Sequence, residues 1–355
     1  MSILDDLEAV EKLDSLRVLA TVERLAHQVR EGWEIGNAPR ELPSGEGLES
    51  ILVLGMGGSG ISGDITRVLI EPRLHLPYRV VKGYPPLPEW IGRNTLVLAI
   101  SYSGNTEETL AALEECLERG SRIVTVSAGG EMARLAQQRG FAHIGLPPGN
   151  QPRASLGYLL IPVLATLWRI GVIPPVELDV LETVDVLEEL GQLCYRGVPA
   201  ADNPAKRLAD RVARLVPLIY GGEGIGAVAA YRFKCDLNEY AKAPAFSNVL
   251  PEMNHNEICS LDAMPDRARS QFAAVFVRDL EEHPQVARRI EVTKRIFSGK
   301  VARVVEVPAR GRSTLARLMS LVFVTQLAAI YTGISYGVDP GPVEAIESLK
   351  AELAS

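Results

Sequence analysis

Apolar residues recur at steps of three from Leu4 through Leu7, Val10, Leu13, Leu16, Leu19 and Val22 to Leu25. That spacing predicts a helical segment over residues 3–35 with one apolar face. Asn37 to Gly47 holds two prolines and two glycines and reads as a loop. Short apolar runs then alternate with longer amphipathic ones. Strands are predicted at 51–54, 78–81, 95–100, 122–126 and 142–146. Helices are predicted at about 61–70, at 106–119 with Gly120 as the stop, and from Glu131. Apolar strands alternating with helices predict a parallel sheet covered on both faces.

The run Pro147-Pro148-Gly149-Asn150-Gln151-Pro152-Arg153 breaks this pattern, and two helical stretches follow at about 155–170 and 178–195. Near Val216 the pattern restarts with a strand to Tyr220, a second glycine cluster at Gly221 to Gly226, and a helix to about Tyr240. Strands at 273–277 and 304–307 follow. The order strand, glycines, helix occurs twice, which predicts two copies of one α/β domain. The expected division is an N-terminal helical segment 1–35, a first domain 36–170, a helical connection 171–205, a second domain 206–335 and a C-terminal helix 336–355. Leu318 to Gly337 is the most apolar long run. It contains Ser320, Thr325, Gln326, Thr332 and Ser335 and starts beside Arg317, so it reads as a core helix and no membrane partner is expected.

Composition narrows the function classes. At 355 residues the chain suits roughly two domains of ~150 residues. Its formal charge of −7 makes it a poor general binder of nucleic acid, which depends on Lys and Arg neutralising phosphates, although a local site can still hold one small phosphate. Cys116, Cys194, Cys235 and Cys259 form no CxxC pair, so they read as small apolar side chains in a reducing cytosol. The acidic start Met1-Ser2-Ile3-Leu4-Asp5-Asp6 lacks a secretion signal, and a cytoplasmic protein is expected.

Two loops carry candidate chemistry. Gly55-Met56-Gly57-Gly58-Ser59-Gly60 follows a strand and opens a helix, where backbone amides can face an anion. It satisfies the GxGxxG spacing, but the next strand ends in Lys82-Gly83-Tyr84 where a dinucleotide site would need an acid for the ribose. A nicotinamide cofactor is therefore disfavoured, and a plain tight turn stays open. Ser101-Tyr102-Ser103-Gly104-Asn105-Thr106 again lies between strand and helix. A helix cap needs one hydroxyl. Three within six residues, beside a helix N-terminus, form an uncharged cradle for a phosphate dianion.

Gly57-Gly58-Ser59-Gly60, Ser101-x-Ser103-Gly104-x-Thr106 and the tandem arrangement resemble the sugar-isomerase (SIS) domain proteins. With Gln151-Pro152-Arg153-Ala154-Ser155, Asn238-Glu239-Tyr240-Ala241-Lys242 and Asn254-His255-Asn256-Glu257, the chain more closely resembles the bifunctional phosphoglucose/phosphomannose isomerases. The resemblance spans nearly the whole chain. It implies two SIS-type domains, each a parallel sheet flanked by helices, and interconversion of glucose 6-phosphate, and of mannose 6-phosphate, with fructose 6-phosphate. By the resemblance Gly58, Ser59, Ser101, Ser103 and Thr106 hold the substrate, and the hydroxyl loop takes its phosphate. Arg153 lies near C1 and C2, Glu239 is the base, His255 is the ring-opening acid, and Lys350 matches the family's C-terminal lysine. Glu257 is a rival carboxylate. The resemblance also implies a homodimer whose histidine is shared across the interface.

That chemistry needs no cofactor. Ring opening moves a proton between the ring oxygen and O1, which suits groups such as imidazole and ammonium. A carboxylate is a weak base toward carbon unless a fixed cation stabilises the enediolate, and Arg153 is placed for that by the resemblance. The five histidines are scattered, with no HxH or HExxH, so no metal is expected. The alternatives are a non-catalytic sugar-phosphate sensor, for which no output module is evident, and an isomerase of another phosphosugar. An amidotransferase-linked amino-sugar enzyme would carry an N-terminal cysteine, which is missing here.

Overall fold

The computed structural model describes residues 2–38 and 40–353. In chain order the elements are α1 (Leu7–Leu13), α2 (Val18–Glu23), α3 (Leu25–Asn37), β1 (Ser50–Leu54), α4 (Gly57–Ile70), β2 (Tyr78–Val81), β3 (Thr95–Ile100), α5 (Glu107–Glu118), β4 (Arg122–Ser127), α6 (Gly130–Arg139), β5 (Ala142–Gly145), α7 (Leu156–Arg169) and α8 (Glu177–Cys194). Then come α9 (Pro204–Val212), β6 (Val216–Gly222), α10 (Ile225–Tyr240), β7 (Phe246–Leu250), α11 (Pro265–Gln271), β8 (Phe272–Arg278), α12 (Pro284–Phe297), β9 (Arg303–Pro308), α13 (Thr314–Ser335) and α14 (Glu344–Leu353).

Two compact units result. One holds Arg24–Val186 with Gly311–Ala316. The other holds the chain up to Glu23, Leu187–Arg310 and Arg317 onward. The first contains a five-stranded sheet in the order β2-β1-β3-β4-β5, the second a four-stranded sheet in the order β7-β6-β8-β9. Every pairing is parallel. Both sheets place their first strand between the second and the third, which is the internal repeat read from the sequence. Parallel strands buried on both faces are mostly apolar, and β1 and β3 are wholly buried. Leu52, Val97 and Leu113 centre one core, and Tyr220, Phe276 and Phe297 the other.

Three differences from the sequence reading have local causes. The N-terminal helical segment is divided. Asp14 Oδ1 and Oδ2 accept from the amides of Val18 (2.9 Å) and Leu19 (2.8 Å), and Arg17 takes a φ of +51°. A carboxylate that captures the amides of a new first turn starts a helix there and ends the one before. β7 was not foreseen, because Phe246-Ser247-Asn248-Val249-Leu250 mixes polar and apolar residues at the sheet edge. α4 begins inside the glycine cluster, earlier than Ile61, since glycine tolerates a helical turn as it does a loop. The apolar helix α13 is nearly all buried in protein, as a core helix should be.

Candidate active site

In an open parallel sheet, the connections on either side of the first strand leave in opposite directions, which opens a crevice at the strand ends. Leu54 pairs with Ala99, so the chain leaves β1 at Gly55 beside the place where it leaves β3 at Ser101. The two motif loops therefore meet at that crevice.

The hydroxyl loop is folded around its own side chains. Ser101 Oγ lies 2.8 Å from Thr106 Oγ1 and 3.5 Å from Ser103 Oγ, and it accepts from the Gly104 amide at 3.1 Å. Thr106 is the first residue outside α5 and makes no side-chain cap. The capping explanation for its hydroxyl therefore fails, and the three hydroxyls form one cluster at a helix N-terminus. Gly104 is obligatory here: its φ is +71°, and a Cβ would stand 1.9 Å from Gly129 O. Asn105 Oδ1 accepts from the Glu131 amide at 2.8 Å, fixing the loop to the turn after β4.

The glycine loop packs between the hydroxyl loop and the turn that carries Arg153. Ser59 is 4% exposed, and its Oγ accepts from the Tyr102 amide at 3.2 Å. A Cβ on Gly58 would lie 3.0 Å from Pro152 O, so this glycine admits the turn Pro152–Ala154 that carries Arg153. Arg153 is 6% exposed. Two ties hold its segment. Tyr102 Oη donates to Pro147 O at 2.6 Å, and Gln28 Nε2 donates to Ala154 O at 2.8 Å. Lys82, which stands where a dinucleotide site would have an acid, is paired with Asp64.

The corresponding crevice of the other sheet has a different character. Gly221 and Gly222 end β6 and Arg278 ends β8. Arg278 is 7% exposed and pairs with Glu282 (2.6 Å), Glu291 (2.8 Å) and Glu306 (3.1 Å). A Cβ on Gly222 would lie 3.3 Å from Glu282 Oε2. Burial raises the pKa of Glu282, against the pull of Arg278. This crevice is lined by paired charged groups, where the first copy presents a cluster of uncharged hydroxyls.

Glu239, His255 and Lys350 lie in the unit of the second sheet. Glu239 is in the last turn of α10 and lines a cavity of about 820 Å³ with Asn238, Lys242, Asp339, Pro342 and Ile346. One turn earlier Arg232 and Asp236, 3% and 1% exposed, pair at 3.0 Å. Burial opposes the Arg232 charge, but Asp236 more than compensates and holds it protonated. That pair anchors the helix end that presents Glu239. Lys350 is exposed on α14, one turn beyond Ile346, on the face that Ile346 gives to the cavity.

His255 is exposed in the short turn Glu252–His255 after β7 and does not line this cavity. The asparagines on either side of it are engaged with other groups. Asn254 Nδ2 donates to Thr293 Oγ1 (2.9 Å), and Asn256 is engaged with the Glu257 amide (2.6 Å) and Glu252 (3.1 Å). The rival Glu257 is committed to structure, accepting from Tyr220 Oη (2.7 Å) and Asn248 Nδ2 (2.6 Å). Among the described residues no three His, Cys, Asp or Glu side chains are grouped to hold a metal ion. Sequence reasoning missed Tyr102, Asn105 and the Gly129-Gly130 turn as supports. The adjacent glycines after a strand were the available signal.

Residues 48–148 match the SIS domain, and residues 201–353 match the bacterial phospho-glucose isomerase C-terminal SIS domain. A bifunctional phosphoglucose/phosphomannose isomerase of Caldicellulosiruptor bescii is 37% identical over 334 residues, covering 94% of this chain and 98% of that one. A D-glucosamine-6-phosphate 4-epimerase of Sulfolobus acidocaldarius is 32% identical over 220 residues, covering 62% of this chain and 66% of that one. The crystal structure of a hypothetical protein from Thermus thermophilus superposes with a TM-score of 0.72 at 15% identity, covering 98% of this chain and 93% of that one, which shows the shared fold.

Proposed function

The chain belongs to the family of bifunctional phosphoglucose/phosphomannose isomerases and is an aldose–ketose isomerase, and we propose that it interconverts glucose 6-phosphate and mannose 6-phosphate with fructose 6-phosphate without a metal. The observation that carries this reading is the cluster of Ser101, Ser103 and Thr106 hydroxyls at the sheet crevice, with Thr106 not used as a cap. Donors on a helix N-terminus suit a phosphate dianion.

With the phosphate held there, the C1–C2 end of the sugar reaches Arg153. His255, with Lys350, serves ring opening: the O1 hydroxyl gives up a proton as the ring oxygen takes one. Glu239 then removes the C2 proton to form a cis-enediolate and returns it to C1. The Arg153 guanidinium stabilises the developing oxyanion, a contribution on the order of 3–4 kcal/mol in comparable sites. Rotation about C2–C3 of the open chain lets one base serve both epimers. His255 is exposed, and in the homodimer that the family resemblance implies this ring serves the partner's site.

Steady-state rates on glucose 6-phosphate and mannose 6-phosphate, measured on one EDTA-treated sample, test the proposal. Both should be converted to fructose 6-phosphate at the untreated rate. A loss restored by zinc would overturn the metal-free step. Turnover of neither sugar would remove the substrate assignment and favour the phosphosugar alternatives.

A further inference from the structure

Away from the Glu239 cavity, the free edge of β9 is covered by α9: Arg303 Nη1 donates to Asp210 O at 2.6 Å, and Arg211 Nη2 reaches Val304 O at 3.4 Å. Where the outer face of α9 meets the end of β9, a cleft of about 310 Å³ opens, and its wall includes Ser320 of α13. Its rim carries Arg207, Arg211 and Arg310, and its floor is apolar, with Leu208 and Val305. Arg207 and Arg211 are one turn apart on a single helix face.

These arginines are poorly spent on the protein. Among the described residues none of the three forms an ion pair. Arg207 reaches only Ala201 O, at 3.5 Å, and Arg211 only the long edge contact. Arg310 contributes its backbone amide to Ser320 Oγ at 2.8 Å. The one acid on the wall, Glu306, is already engaged by Arg278 (3.1 Å) and by Lys294. Each guanidinium offers five donors in a planar fork suited to phosphate. Arg207 and Arg310 also act on one point: both favour the thiolate of buried Cys194, although burial dominates and pushes that thiol up to about 11. Arg207, Arg211 and Arg310 are exposed, and in a chain of net charge −7 three cations gathered around one cleft without an ion pair favour an anion there.

We propose that the α9–β9 cleft is a second anion site, binding a small phosphate-bearing metabolite of two or more negative charges through Arg207, Arg211 and Arg310. Its volume, at the lower end of small-molecule sites, suits a small metabolite. The site is independent of the isomerase assignment.

Calorimetric titration of inorganic pyrophosphate into the full chain, and into an Arg207→Ala/Arg211→Ala variant, tests it. The native chain should show a binding component that weakens at least ~10-fold in the variant, since charge-assisted bonds are lost. Arg310→Ala should weaken the same component. The double variant should keep native kcat and KM, which separates this cleft from the substrate site. Superimposable titrations, or no pyrophosphate binding by the native chain, would overturn the proposal. An inactive native enzyme would bear on the isomerase assignment alone and leave the titration to decide the cleft.

Discussion

Ser101 Oγ and Thr106 Oγ1 stand 2.8 Å apart across the turn after β3, and Thr106 makes no capping bond to the helix it precedes. The hydroxyl pair is thus held by the loop and remains available to a ligand. Thr106→Val should leave the melting temperature within a few degrees, because no cap is lost. It should raise KM for fructose 6-phosphate ~10–100-fold, the range for one hydrogen bond to a charged group. Ser101→Ala should do the same with a larger loss of stability, since Ser101 also accepts the Gly104 amide. An unchanged KM in both variants would move the phosphate elsewhere.

Glu239 should carry the proton. Glu239→Gln keeps the shape of the side chain in the cavity and removes the base. Its kcat should fall ~10²–10⁴-fold while KM changes little. Deuterium from solvent should no longer enter C1 of fructose 6-phosphate. Retained incorporation would assign the base to another group.

His255 should act in trans. Glu239→Gln and His255→Ala proteins should each be inactive, and mixing them under subunit exchange should restore activity. If each site takes its base from one copy and its imidazole from the other, half the dimers are mixed and each has one intact site, so recovery approaches about one quarter of native activity. No recovery despite demonstrated exchange would place both groups in the same copy.

The cysteines should differ in reactivity. Burial pushes the Cys116 thiol up to about 12 and the Cys194 thiol up to about 11, and it also raises Cys235, whereas Cys259 is exposed. Thiolate is the reacting form. At pH 8 a thiol reagent should modify Cys259 rapidly and reach Cys116 and Cys194 only on unfolding. Mass-mapped labelling at equal rates on all four would contradict this packing.

Much of this protein is written locally. The strand–glycine–helix order at Ser50–Ile70 and again at Val216–Tyr240, the apolar parallel strands and the three hydroxyls in six residues follow from backbone sterics, burial and turn chemistry over short distances. They sufficed for the fold class and for the hydroxyl loop. Other features depend on residues far apart in the chain. Whether Thr106 caps its helix was decided by Ser101. What the asparagines beside His255 bond to was decided by Thr293 and Glu252. Whether the two crevices share one character was decided by the meeting of Glu282, Arg278 and Gly222. Hydrogen bonds and charges act over a few ångströms of space, and only the packed chain sets which groups come that close.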